Sequence, residues 1–443
     1  MKHRILGSLA VAMLLILSSC SGGSSSGPTN ELSSSSSGSS ITPIDTTGLG
    51  SVLPKNASTD SAFQVYKAQY DASDYAAAAL GFKAIAWLNP DSAISGDAQY
   101  YLGKCHFQLD SFDLARMEFL RLLDLWPANS HVDYATYFIG RTYFKVDSLT
   151  SAITYFHQVL KDFPDSTSAI DAEYYLGRSF YNQQTFDSAL VCFQNVLTQH
   201  STSLVADGAA LYAGKSQYSL GSYAAAVTTL VAMRNDYPNS GFVEEAQYYQ
   251  GRSQYQLAQY AQARTNLSAV LAVDSQGVTG EGALYYYAQS TYMDTTLVTR
   301  FTDAMPLFTK LENSFASGIY ADNAHYYKGR CMLETGDTTA AYANFGNLAT
   351  LYPLSTYIDN AMYYMGRIEF GQGNLTQSEA TMALVIANYS SSDLLDNAYL
   401  WKIKAQVAQS LCTQANSTLA QMKSSTPQSP YLGLAEINAS GCI

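Results

Sequence analysis

Charge is sparse and one-sided in this chain of 443 residues. Only 14% of the residues are charged, and 24 Lys and Arg stand against 36 Asp and Glu, for a formal net charge of −12. Holding nucleic acid or an anionic lipid surface by charge requires cations gathered opposite phosphate, so this balance argues against both roles. Histidine is scarce as well, and His3, His106, His131, His157, His200 and His325 show no metal-ligand spacing. The sequence contains no Cys-x-x-Cys, no His-Glu-x-x-His and no phosphate-binding glycine loop with its lysine. The stretch from Gly277 to Gly282 is too irregular to cradle a nucleotide, and serine is concentrated near the N-terminus, where no folded base could accompany it. The expectation is a chain that is not an enzyme and takes no cofactor or metal.

Apolar runs of membrane-spanning length are also missing. The run from Ile5 to Leu17 stops short of the roughly 20 residues a bilayer requires, and Lys2 and Arg4 before it mark an export signal rather than a span. The Leu17-Ser18-Ser19-Cys20 that follows resembles a bacterial lipobox, which implies cleavage before Cys20 and lipid attachment to its sulfur. Ser21 in place of aspartate resembles the outer-membrane sorting pattern. Residues 1–19 thus read as a lipoprotein signal peptide, whose removal takes Lys2 and Arg4 and shifts the net charge to −14. Residues 20–58 read as a lipidated tether rich in Ser and Gly that cannot bury a core, with a span of about 35 Å.

What the chain does have is a period. Tyr66, Gly103, Gly140, Gly177, Gly214, Gly251, Ala288, Gly329, Gly366 and Ile403 are spaced 37 residues apart, except for one interval of 41. One period held this long is the mark of a stacked array whose units bury their apolar faces against their neighbours. Within Asp133 to Pro164, apolar residues recur at three- and four-residue steps in two runs broken by Lys145-Val146-Asp147-Ser148, so each unit is two helices and a tight turn. Alanine stands five places before the slot in nine units, from Ala98 to Ala398, and another stands twelve places after it, as at Ala115, Ala152 and Ala189. These small residues mark the seam where helices approach closely. Bulky side chains such as Phe119, Phe156, Phe193 and Leu230 lie one turn further and fill the core, and prolines at Pro90, Pro127, Pro164, Pro238, Pro353 and Pro427 close the units.

Slot glycine, following aromatic, alanine, phenylalanine and proline in this order resemble the tetratricopeptide repeat over residues 59–427. The resemblance implies an all-α solenoid of about ten helix-turn-helix units with a 37-residue period, followed by a C-terminal capping tail at 428–443. It departs from the family in the longer period, in paired aromatics such as Tyr174-Tyr175 in place of an early tryptophan, and in the missing prolines of four units. The longer unit is similar to that of bacterial envelope proteins, as in the families of the barrel-assembly lipoprotein BamD and the Tol-Pal periplasmic coordinator. The resemblance implies a lipid-anchored protein of the cell outer membrane that faces the periplasm and is a protein-interaction scaffold in envelope assembly or maintenance. Its partners would be envelope proteins or their extended segments, with peptidoglycan or glycan possible and no nucleic acid. A different reading is a glycan-binding lipoprotein of a polysaccharide-uptake system.

Three sites on the first helix share one face: three before the slot, one after it and four after it. They read Tyr137, Arg141, Phe144; Tyr174, Arg178, Tyr181; Tyr248, Arg252, Tyr255; with Tyr326, Arg330 and Tyr363, Arg367 continuing the pattern, and Gln289 interrupting the basic row. In tetratricopeptide arrays this face lines the concave groove, so the resemblance implies a partner-binding channel. Arginine can hold carboxylates and tyrosine supplies contact area with few rotors. The same residues could equally serve as cement between repeats, with Asp97, Asp171 and Glu245 as ion-pair partners. Acids near the helix starts, including Asp97, Asp171, Asp207, Asp322, Asp359 and Asp396, read as caps. The four extra residues fall around Asp294 to Thr299, either as a plain loop or as a protruding contact point. Cys105 and Cys331 read as small buried hydrophobes. Cys412 and Cys442 could form a disulfide that clamps the tail across the last hydrophobic surface, or remain free thiols.

Overall fold

The computed structural model describes residues 47–54, 58–88, 90–92, 94–273, 275–277 and 279–441. The expected signal peptide, Cys20, most of the expected tether and Cys442 lie outside the described residues. Among the described residues there are twenty-one α-helices and no strand. Twenty of the helices pair into ten hairpins, numbered here from repeat 1, whose slot is Tyr66, to repeat 10, whose slot is Ile403. Repeat 4 is representative: its first helix spans Thr167–Asn182 and its second Phe186–Gln199. Each helix packs against the next along the chain, and in several repeats the first helix also touches the first helix of the following repeat.

The slot is small because a side chain lies on it. A Cβ added to Gly140, Gly177 or Gly251 would come within 2.7 Å of Phe156, Phe193 or Leu267 respectively, sixteen residues on and fully buried. Alanine five places before the slot is buried throughout, as at Ala135, Ala172 and Ala209, and Ala152, Ala189 and Ala226 face it from the second helix. The hairpin then turns through a left-handed residue seven places after the slot in nine repeats. Glycine fills that position at Gly221, Gly336 and Gly373, but Ser73, Asp110, Asp147, Gln184, Ala258 and Ser410 take it with φ between 53° and 64°. A left-handed residue ends a helix by capping its last carbonyls, and a Cβ makes that conformation unfavourable by about 1–2 kcal/mol.

The loops between repeats carry a second recurrent device. The first-helix acids are not N-caps: the residues capping those helices are Ile94, Val205, Tyr320, Tyr357 and Leu394, with no side-chain cap bond. Asp97, Asp207 and Asp396 sit inside the first turn, where a negative charge still favours the helix dipole. They also hold the following loop, since Asn129 donates to Asp97 at 2.9 Å, Ser240 to Asp207 at 2.6 Å and Ser429 to Asp396 at 2.8 Å. Asp171 lies beyond the first turn of its helix.

The array is closed differently at its two ends. Residues 47–54 contain a 3-10 turn at Leu49–Ser51 that buries Leu49, and Tyr66 donates a hydrogen bond to the Val52 carbonyl. The end of the expected tether therefore packs on repeat 1, with Val52 and Leu53 against its core. At the other end the helix Leu432–Ser440 places Ala435 and Ala439 against Tyr399, Ile403, Ala415 and Met422. Its other side leaves Leu434 and Ile437 exposed. Cys105 and Cys331 are free and buried, with thiols pushed up to about 12 by burial, as small hydrophobes should be. Cys412 is disulfide-bonded.

A buried polar cluster joins repeats 7 and 8. Glu312, in the helix Arg300–Ser314, is hydrogen-bonded to His325 Nδ1 and to Lys328 Nζ, both in the helix Ala321–Glu334. His325 Nε2 donates to the Asn344 carbonyl at 2.8 Å, and Asn344 returns a bond of 2.8 Å to the His325 carbonyl. Burial alone would raise the Glu312 carboxyl, but the hydrogen bonds and charges of His325 and Lys328 outweigh it and hold it below 4.5.

Two predictions follow from this packing. In thermal melts, Gly177→Ala is expected to lower the midpoint, because displacing Phe193 costs about 1–3 kcal/mol against a helix-propensity gain of about 1 kcal/mol. Ala258→Gly is expected to raise it through a gain of about 1 kcal/mol, and the opposite order of the two variants would reject the packing account. For Glu312, the depressed carboxyl contributes stability that is present above its ordinary value and lost as pH falls through the folded one. The melting temperature of Glu312→Gln should therefore fall less than that of the wild type between about pH 6 and about pH 3, and parallel losses would dismiss the linkage.

Candidate partner-binding ladder

The first helices bring the basic residues into a row in which Arg141, Arg178, Lys215 and Arg252 each lie between aromatic rings of the repeats on either side. Arg141 Cζ is 5.2 Å from the Phe107 ring in the repeat before and 4.0 Å from the Tyr175 ring in the repeat after. Arg178 repeats this between Phe144 at 5.2 Å and Tyr212 at 4.9 Å, and Lys215 between Tyr181 at 5.5 Å and Tyr249 at 5.1 Å. Arg252 lies 4.6 Å from Tyr218 and 4.9 Å from Tyr286. Further along, Arg330 is 4.2 Å from Tyr364 and Arg367 is 5.2 Å from Trp401. A cation over an aromatic face is worth about 0.5–1 kcal/mol when exposed and about 2 kcal/mol when desolvated, so the row holds adjacent repeats together.

The tyrosines three places before the slot have a different role. Tyr137, Tyr174, Tyr248, Tyr326 and Tyr363 are between 3% and 8% exposed, so their ring faces are spent inside the array. Arg141 donates to the Tyr137 hydroxyl at 2.7 Å and Arg330 to that of Tyr326 at 3.3 Å. Burial pushes the hydroxyls of Tyr137, Tyr174, Tyr248 and Tyr326 far above their ordinary value, so they stay protonated. Phe144, Tyr181 and Tyr255 are partly exposed, each beside the ladder or continuous with it.

The residues that complete each rung were missed in the sequence. They stand two places before the slot: Phe138, Tyr175, Tyr212, Tyr249, Tyr286, Tyr364 and Trp401. Own-helix spacing pairs Arg141 with Tyr137, whereas its closest ring is Tyr175, 34 residues on. The signal was the second member of each aromatic pair, which only the stacking of repeats brings to the cation.

Carboxylates are few along the row. Lys215 pairs with Glu245 of the next repeat at 2.7 Å, and Arg330 contacts Glu334 at 3.4 Å. Thus Glu245 serves the base of the repeat before it and not Arg252, seven residues on. Among the described residues, Arg141, Arg178, Arg252, Arg367 and Lys404 have no carboxylate at ion-pair distance. Gln289 takes the rung position in repeat 7 and is 1% exposed, which shows that a neutral, planar side chain can be packed there. In that same repeat the insertion is pinned by Asp294, buried and 2.9 Å from Arg264, while Val298 is 99% exposed at its tip.

Stacked helical hairpins with small residues at the slot and a 37-residue register define a tetratricopeptide-repeat protein. The tetratricopeptide repeat profile matches residues 171–203, 209–240, 245–274, 323–355 and 360–392. The N-terminal part carries a more particular relationship, since residues 55–174 match the YfiO outer membrane lipoprotein family. The chain thus joins an N-terminal stretch similar to the YfiO (BamD-like) outer membrane lipoprotein family to further tetratricopeptide repeats. No described helix is long and apolar enough to cross a membrane. No curated protein matches the chain.

Among solved structures, the apo form of RapI is 13% identical, with a TM-score of 0.50 over 74% of this chain and 96% of its own. A tetratricopeptide repeat protein from Parabacteroides merdae is 15% identical, covering 60% of this chain and 96% of its own with a TM-score of 0.42. PilF of Pseudomonas aeruginosa is 17% identical, covering 52% and 95% with a TM-score of 0.41. At these identities the likeness is one of fold alone.

The ladder predicts a difference between two substitutions. Arg252→Ala removes a side chain wedged between Tyr218 and Tyr286 and should lower the thermal midpoint, by about 1–2 kcal/mol of stability. Arg252→Gln keeps a planar group of the kind Gln289 supplies and should lose clearly less; equal losses in melting experiments would refute the stacking account.

Proposed function

We propose that the chain is an outer-membrane-anchored scaffold, tethered through a lipid on Cys20 and facing the periplasm, that binds extended segments of envelope proteins along the ladder during envelope assembly or maintenance. The observation that carries this reading is the row of cations itself. A chain with a net charge of −12 keeps most of its ladder cations without carboxylate partners, and packs them in ring-lined positions where an anion is screened little by water. Stacking supplies the rigidity, and the unpaired charge supplies attraction for acidic segments, so cement and recognition coexist in the same side chains. Stacking a saccharide on Tyr174 and Tyr248 would need open ring faces, and both residues are buried, which favours a polypeptide over a glycan.

The test separates charge from packing. Crosslinking and capture from intact envelopes should recover protein partners with the wild type, and recovery should fall at least tenfold with the triple variant Arg141→Gln, Arg178→Gln, Arg252→Gln, while helical content is kept. Capture of envelope polysaccharide with no protein, or undiminished protein capture by the triple variant, would defeat the proposal.

A further inference from the structure

Repeat 8 lacks a pair of rings that most other repeats possess. In six repeats the aromatic four places after the slot meets a second aromatic at the start of the following helix, while repeats 3 and 9 keep only the first of the two, Phe144 and Phe370. The pairs are Tyr70 with Tyr75 at 5.2 Å between ring centres, Phe107 with Phe112 at 5.5 Å and Tyr181 with Phe186 at 5.3 Å. Tyr218 with Tyr223 at 5.4 Å, Tyr255 with Tyr260 at 5.9 Å and Tyr292 with Phe301 at 5.3 Å continue the series. Repeat 8 has Leu333 and Thr338 at these two positions. Both rings are absent together there.

A cavity opens at that place. It measures about 430 Å³, and its walls include Leu333, Thr338, Arg367, Gly371 and Trp401. Arg367 is the next rung of the ladder, and the residue beneath it, where Arg141 has Phe107 and Arg252 has Tyr218, is Leu333. With a ring from a neighbouring repeat on one side only, Arg367 is exposed, unlike Arg141, Arg178 and Arg252, which have one on both sides. It has Trp401 above it at 5.2 Å, and Lys404 Nζ lies 4.3 Å from the same indole. Glu334, at the rim, is held by Arg330 at 3.4 Å, and among the described residues neither Arg367 nor Lys404 has a carboxylate partner. Burial, and then the charge of Arg367, depresses the Lys404 ammonium, as expected for cations left without an anion between them.

We propose that this vacancy is a binding site for an aromatic side chain of a partner polypeptide whose adjacent carboxylates pair with Arg367 and Lys404. The place is one that a Phe or Tyr of this chain fills in six other repeats, so the shape calls for such a side chain. The two unpaired cations beside it select neighbouring Asp or Glu by charge complementarity. An aromatic ring gives a large contact area at small entropic loss, and stacking on Arg367 and Trp401 gives it a fixed orientation. The site rests on the scaffold reading above and locates one anchoring contact within it, in repeats 8 to 10.

The experiment is calorimetric titration of the full chain with a probe peptide, acetyl-Glu-Asp-Phe-Asp-Glu-amide. Saturable binding is expected, weakened at least tenfold when the probe's Phe becomes Ala or its acids become Asn and Gln. Leu333→Phe supplies the missing ring from within and should weaken binding at least tenfold without lowering the melting temperature, which separates occlusion from unfolding. Arg367→Gln should weaken it as much. No saturable binding, binding indifferent to the probe's Phe, or binding that Leu333→Phe leaves unchanged would overturn the site. If wild-type protein ignores the probe yet still captures envelope proteins by crosslinking, only this site falls; if both fail, the scaffold reading falls with it.

Discussion

The contact on which the remaining structure depends is a bulky side chain lying directly on the backbone of the neighbouring helix. Phe156 on Gly140 and Phe193 on Gly177 leave no room for a Cβ, and that sets how closely the two helices of a hairpin approach. Close approach in turn fixes the angle at which each hairpin meets the next. Only then do residues 34 apart, such as Arg141 and Tyr175, come face to face. The ladder is a product of this backbone spacing, and a repeat whose hairpin opened would pull its cation off the ring above.

Much of this was legible in the sequence because its causes are periodic and local. Small residues at the slot and five places before it stand out against an aromatic background, and Phe119, Phe156 and Phe193 announce the core by recurring at the same interval. The candidate face was less legible. Arg178 and Tyr174 share a helix face by spacing, but the ring of Tyr212 belongs to another repeat, and no helical periodicity within one unit reveals which of two adjacent aromatics will stack. The acids were misassigned for a related reason. Asp207 looks like a cap when only its helix is considered, whereas Ser240, which it binds, arrives after the second helix has turned back.

Repeat 7 shows how the array tolerates a local fault. Its insertion lacks the left-handed turn residue of the other nine repeats, and its rung is the neutral Gln289. The longer turn is instead anchored to the preceding repeat by Arg264, which pairs with Asp294 at 2.9 Å and donates to the Ser290 carbonyl at 3.1 Å. Asp294 also accepts from the Thr296 amide at 3.0 Å and hydroxyl at 2.7 Å, so the four extra residues start from a fixed base. These bonds, with the charge of Arg264, outweigh burial and hold its carboxyl below the usual range. Core packing passes through unchanged, with Ala288, Ala304 and Phe308 all fully buried.

The ring-and-cation rungs have a mechanical consequence. The main contacts of each helix are with its first and second neighbours along the chain, so strain applied to the array is shared among successive seams. A hydrogen bond resists displacement sharply, being directional, whereas a guanidinium sliding across the face of a ring keeps much of its attraction through a small shift. Seams joined by Arg141 on Tyr175 or Arg252 on Tyr286 can therefore each give slightly without parting. Their sum is a stack whose compliance is distributed over its successive seams.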